Sequence, residues 1–93
     1  MIGLKIRELR EENNFLLRQL AAKLDIDTAQ LSKMERGERL FKKEKIIEIA
    51  QILNANKKEL LTLWLADRLF KIVQGEENVL EALKIIEQKY PKQ

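Results

Sequence analysis

Leu20-Ala21-Ala22-Lys23-Leu24-Asp25-Ile26-Asp27-Thr28-Ala29-Gln30-Leu31-Ser32-Lys33-Met34-Glu35-Arg36-Gly37 is the stretch on which the fold turns. Phe15, Leu17, Leu20, Ala21 and Leu24 form one apolar stripe at helical spacing, and Leu31 with Met34 resumes it further on. Between them stands Asp25-Ile26-Asp27, too short an interruption for anything but a tight turn. Two short helices therefore abut across one turn, the first about two turns long and the second stopped at Gly37. Asp27 with Gln30 three residues later predicts a capping box at the start of the second. Ala21 is small where the two helices must cross closely. Burying Leu20, Leu24, Ile26, Leu31 and Met34 uses one face of the second helix and turns Thr28, Ala29, Gln30 and Lys33 to solvent.

Upstream, Leu4, Ile6, Leu9 and Asn13 follow a helical repeat with Lys5, Arg7, Glu8 and Glu11 facing away, and Asn13-Asn14 ends that helix. Downstream, a fourth helix from about Lys43 to Leu53 points Ile46, Ile47, Ile49, Ala50 and Leu53 inward, and Asn54 suits a left-handed C-terminal position. Asn56 and Glu59 cap a fifth helix from Lys57 to about Val73, apolar over so wide an arc that it needs cover on more than one side. Gln74-Gly75 breaks the pattern. Val79, Leu80, Leu83, Ile86 and Tyr90 then mark an amphipathic final helix before Pro91. The expected fold is all-α, one domain over 1–93.

With 93 residues there is room for one core and no separate catalytic module. Without Cys or His, neither a disulfide, a thiolate metal site nor a nucleophile and base set can be assembled, so no enzyme, no metal and no cofactor is expected. Charge begins at once in the N-terminal segment, and no apolar run approaches membrane-spanning length; a soluble, cytoplasmic protein with no membrane partner and no small-molecule ligand is the expectation. A net charge of +3 tolerates nucleic acid without demanding it, so its distribution matters more. Arg36, Arg39, Lys42 and Lys43 outnumber Glu38 just after the second helix of the pair, which makes that loop a candidate for phosphate contact; Arg18, early in the first, is another.

Leu20-Ala21-Ala22-Lys23-Leu24, the turn, and Leu31-Ser32-Lys33-Met34-Glu35-Arg36-Gly37 resemble the Cro and phage-repressor (XRE-type) helix-turn-helix family. Arg7-Glu8-Leu9-Arg10 and Ile49-Ala50-Gln51-Ile52-Leu53 sit where that family's pattern expects them, so the resemblance covers roughly residues 2–66. It implies a lambda-repressor-like five-helix domain, here with an extended fifth helix and an additional C-terminal helix. It also implies a recognition helix, about Thr28–Arg36, that places Thr28, Ala29, Gln30 and Lys33 in the major groove of duplex DNA, and an ion pair between Arg10 and Glu35. Departures are visible: Leu16 and Leu17 replace a hydroxyl cap and a Gln, Asp25 replaces the turn glycine, and Leu40-Phe41 replaces a more polar stretch.

The apolar excess lies in the last third. Leu61, Trp64, Leu65, Leu69, Phe70, Ile72 and Val73, with Leu80, Leu83 and Ile86 of the final helix, are expected to form a homodimer interface, residues 67–93 being the dimerisation extension. The combined expectation is a homodimeric transcriptional regulator on an inverted-repeat operator. A protein-interaction module or antitoxin on the same fold is the alternative, set apart by lacking salt-dependent affinity for duplex DNA.

Overall fold

The computed structural model describes residues 1–91, and over these the chain forms six helices and no strand: α1 (Ile2–Glu12), α2 (Leu17–Lys23), α3 (Thr28–Glu35), α4 (Lys43–Ile52), α5 (Lys57–Val73) and α6 (Val79–Gln88). The largest fully buried side chains are Ile6, Leu20, Leu31, Ile46, Ile49 and Leu60, drawn from all of the first five helices, and Leu24 at the C-terminal cap of α2. Around them α2 packs on α3, α1 lies against both α3 and α5, and α4 lies along α5.

Each boundary has a local cause. Asn14 (φ 60), Asp25 (φ 56) and Asn54 (φ 51) take the left-handed conformation that ends a helix, which short polar side chains tolerate best after glycine. Asn56 Oδ1 accepts the Glu59 amide at 2.8 Å and starts α5. The side chain of Leu16 has no acceptor to offer at the start of α2, but half of a capping box survives: Gln19 Oε1 accepts the Leu16 amide at 2.8 Å. Asp27 occupies the N-cap position of α3 without a side-chain cap bond, so the capping box expected with Gln30 does not form.

Two apolar residues do not face the way their spacing suggests. Leu4 is 59% exposed, because α1 turns Ile2, Gly3 and Ile6 to the core instead. Ile47 is 37% exposed beside the buried Ile46. Adjacent helix positions are about 100° apart, and only one of two neighbours can sit at the centre of the buried face.

Long-range polar ties close the domain. The Ile2 amide, unpaired within its own helix, donates to Asp67 Oδ2 of α5 at 2.8 Å. Trp64 Nε1 donates to the Phe41 carbonyl at 2.7 Å, fixing the α3–α4 loop to α5; Phe41 is buried there while Leu40 beside it stays exposed. Lys45 Nζ donates to the Leu24 carbonyl at 2.6 Å, satisfying a C-terminal carbonyl of α2.

Beyond Trp64 the molecule is no longer compact. Leu60 is the one α5 residue that is fully enclosed, and α6 buries none of its residues. The radius of gyration is 15.1 Å, against about 12 Å for a compact domain of this length. Among the described residues no helix is long and apolar enough to cross a membrane.

Candidate nucleic-acid interface

α3 carries the surface in question. Leu31, Met34 and Glu35 occupy its buried side; Thr28, Ala29 and Lys33 are exposed on the opposite side, and Gln30 is half-buried at the edge. Among the described residues no hydrogen bond or ion pair engages the side chains of Thr28, Gln30 or Lys33, so their polar atoms face solvent or an incoming partner. A Lys ammonium can donate to guanine O6 or N7, a hydroxyl can pair with several base edges, and the Ala29 methyl suits a thymine methyl.

The helix is held from behind. Arg10 of α1 grips Glu35 at the end of α3 through Nε (2.8 Å to Oε2) and Nη2 (3.1 Å to Oε1), while its Nη1 donates to the Phe15 carbonyl at 2.9 Å. The side chains of this pair are 11% and 5% exposed. The hydrogen bonds it donates to Glu35 hold the Arg10 pKa above its ordinary value; burial opposes them, and the charges of Glu35 and Glu11 add to the rise. A second brace was not foreseen from the sequence. Gly3 lies so close to the end of α3 that a Cβ there would stand 2.5 Å from the Met34 carbonyl oxygen and 2.6 Å from that of Glu35. Only a hydrogen fits between these backbones.

The loop after α3 presents Arg39, Lys42 and Lys43 as exposed side chains that, among the described residues, form no ion pair. Arg36 is different, for its guanidinium bonds both Glu38 and the Ser32 hydroxyl. The hydrogen bond and charge of Arg36 hold the Glu38 carboxyl below the usual carboxylate range, and Glu38 raises Arg36 in return. Arg36 is thus partly neutralised within the chain, whereas Arg39, Lys42 and Lys43 have no carboxylate partner among the described residues. Arg18, the other cation expected from the sequence to meet phosphate, is exposed in the first turn of α2 and makes no ion pair among the described residues.

A family model described as helix-turn-helix matches residues 6–60. The chain belongs to the helix-turn-helix family, of the XRE type. Its α2 and α3 are the two helices of the motif, and Asp25 holds the left-handed turn position between them. A comparison with curated proteins finds no match. Among solved structures, that of the clp gene regulator ClgR from Corynebacterium glutamicum is similar, with a TM-score of 0.61 and 21% identity over 98% of this chain and 92% of that one. The likeness is one of fold and extends past the helix-turn-helix into the C-terminal helices.

The residues assigned to dimerisation divide into two groups. Leu61 and Trp64 pack against the helix-turn-helix core within the chain, and Val73 is half-buried. Leu65, Leu69, Phe70, Ile72, Leu80, Leu83 and Ile86 remain exposed. Among the described residues no cluster of acidic side chains is placed to hold a metal ion. Sequence reasoning passed over Gly3, Asp67 and Lys45; a glycine in the first turn of a helix was the one signal visible in advance.

Proposed function

We propose that this helix-turn-helix protein is a sequence-specific transcriptional regulator that binds duplex DNA as a homodimer. The carrying observation is the outer face of α3: Thr28, Ala29 and Lys33 stand clear of the fold while Arg10–Glu35 and Gly3 fix the helix rigidly behind them. Thr28 and Lys33 read base edges, Ala29 supplies an apolar contact, and Gln30 reaches the groove from the edge of the face. Arg39, Lys42 and Lys43, with Arg18 across the groove, hold phosphates, and Arg36 joins them when Glu38 releases it. One helix of eight residues contacts only a few base pairs, so two copies related by a two-fold axis, their recognition helices about 34 Å apart, suit an inverted-repeat operator. A duplex-DNA partner fits the cytoplasmic location expected from the sequence. The description of the similar C. glutamicum protein as a gene regulator supports the reading.

Selection of bound sites from a random duplex pool tests it, and the recovered motif should be an inverted repeat. Lys33→Ala should lose about 1–3 kcal/mol on that site and relax preference at one base pair per half-site. A pool that yields no motif, with no salt-dependent duplex binding, would leave a protein-interaction module on the same fold.

A further inference from the structure

We propose that two copies of this chain exchange their C-terminal helices, α6 of each lying along the outer face of the partner's α5. This rests on the homodimer proposed above and specifies how it is built.

Two unpartnered apolar stripes carry the inference. On α5, Leu61 begins a row by packing on the core, and its continuation, Leu65, Leu69 and Ile72, stands exposed at intervals of four and three residues. The last three are 51%, 41% and 73% exposed. On α6, where Val79 is half-buried, Leu83 and Ile86, continued by Tyr90 just past the helix end, stand exposed at intervals of three and four. Each exposed stripe therefore runs about 10 Å along its helix axis. Their lengths match, and both have the seam spacing of helices that pair side by side.

The chain does not join the two stripes itself. Gly75 (φ 83) and Asn78 (φ 63) set two left-handed positions between α5 and α6, and α6 then leaves every one of its residues unburied. The accessible surface is 7248 Å², about 1,600 Å² more than the roughly 5,600 Å² expected of a compact monomer of this mass. A stable interface needs about 800 Å² from each partner, so the excess suffices.

Charge selects the exchanged arrangement over like-with-like pairing. Both carboxylates of α5 are drawn toward α1, Asp67 to the Ile2 amide and Glu59 to Lys5 at 3.4 Å. Lys57, Lys58, Arg68 and Lys71 leave the helix basic on balance, Arg68 lying over the Trp64 ring at 4.9 Å from its centroid. The arm, residues 76–90, carries Glu76, Glu77, Glu81 and Glu87 against Lys84 and Lys89 and is acidic on balance. Pairing α5 with α5 would oppose two basic helices and pairing arm with arm two acidic segments, whereas α5 with the partner's arm opposes unlike charges.

The absence of native cysteine makes a direct test possible. Full-length Leu65→Cys and Leu83→Cys chains, one of them isotope-labelled, are each shown to keep the parent's helical circular dichroism and are then mixed and mildly oxidised. The expected product is a disulfide-linked pair containing one labelled and one unlabelled chain, formed at least tenfold faster than either variant links to itself. Sedimentation of the unmodified protein reads the dimer independently. A parent at twice 11.0 kDa whose variants link only to themselves would overturn the exchange and leave the dimer standing. A parent at the single-chain mass would overturn both. A chain carrying both substitutions that closes an internal disulfide shows α6 folded back on its own α5, which also overturns the exchange.

Discussion

Glu35→Ala should unfold this protein at a markedly lower temperature, and the size of the effect follows from what Arg10 would lose. The Glu35 side chain is 5% exposed and supplies both carboxylate oxygens to Arg10, itself 11% exposed. Removing it strands a guanidinium that keeps one bond, to the Phe15 carbonyl, and little water. Breaking a buried pair by deleting one partner costs about 3–5 kcal/mol, and the surviving bond and residual exposure place this case near 3. For a domain of this size about 1 kcal/mol shifts the thermal midpoint by about 4–8 °C, so a fall of roughly 12–24 °C is expected. Thermal unfolding followed by circular dichroism measures it. The double variant Arg10→Met with Glu35→Leu removes both charges, fills the same space with apolar atoms, and should recover most of the loss. A Glu35→Ala midpoint within about 3 °C of the parent's, equivalent to less than about 1 kcal/mol, would refute the reasoning, because it would mean that water reaches Arg10 as freely as it reaches a surface residue.

Three further outcomes are expected. Gly3→Ala should destabilise the fold even though alanine is the better helix former, since its methyl would meet the carbonyls of Met34 and Glu35; chemical denaturation checks the sign, and a stabilised variant would contradict the close approach. The Glu38 carboxyl, held low by Arg36, keeps its pair intact above the usual carboxylate range and gives it up only as pH falls through the lowered pKa. Carbon-detected titration should therefore show a Glu38 midpoint below that of a free Glu and its return to the ordinary value in Arg36→Ala, while Glu38→Gln should tighten binding to all duplexes by releasing Arg36. Arg39→Ala and Lys42→Ala should weaken binding to every duplex alike and reduce the salt slope by about one each; a change in site preference instead would make them base readers.

The local grammar of this chain was legible without a structure. Helix periodicity, the left-handed Asn54, the Asn56 cap and the turn at Asp25 each depend on residues within a few positions of one another, and the helices begin and end where those signals stand. The exposed side of α3 was legible too, because a short helix with Leu31 and Met34 turned inward has one opposite face. Periodicity could not say that Ile46 rather than Ile47, or Ile2 rather than Leu4, would meet the core, since that depends on the rotation of each helix against neighbours far away in sequence. Only the tertiary structure brought Asp67 to the Ile2 amide across 65 residues, Lys45 to the end of α2, and Gly3 against the carbonyls of α3. The same holds for the C-terminal third. Its apolar content is a property of the sequence, but whether α6 folds back or stands away is decided by the backbone at Gly75 and Asn78 and by how much of α5 the helix-turn-helix core can reach, which ends near Trp64.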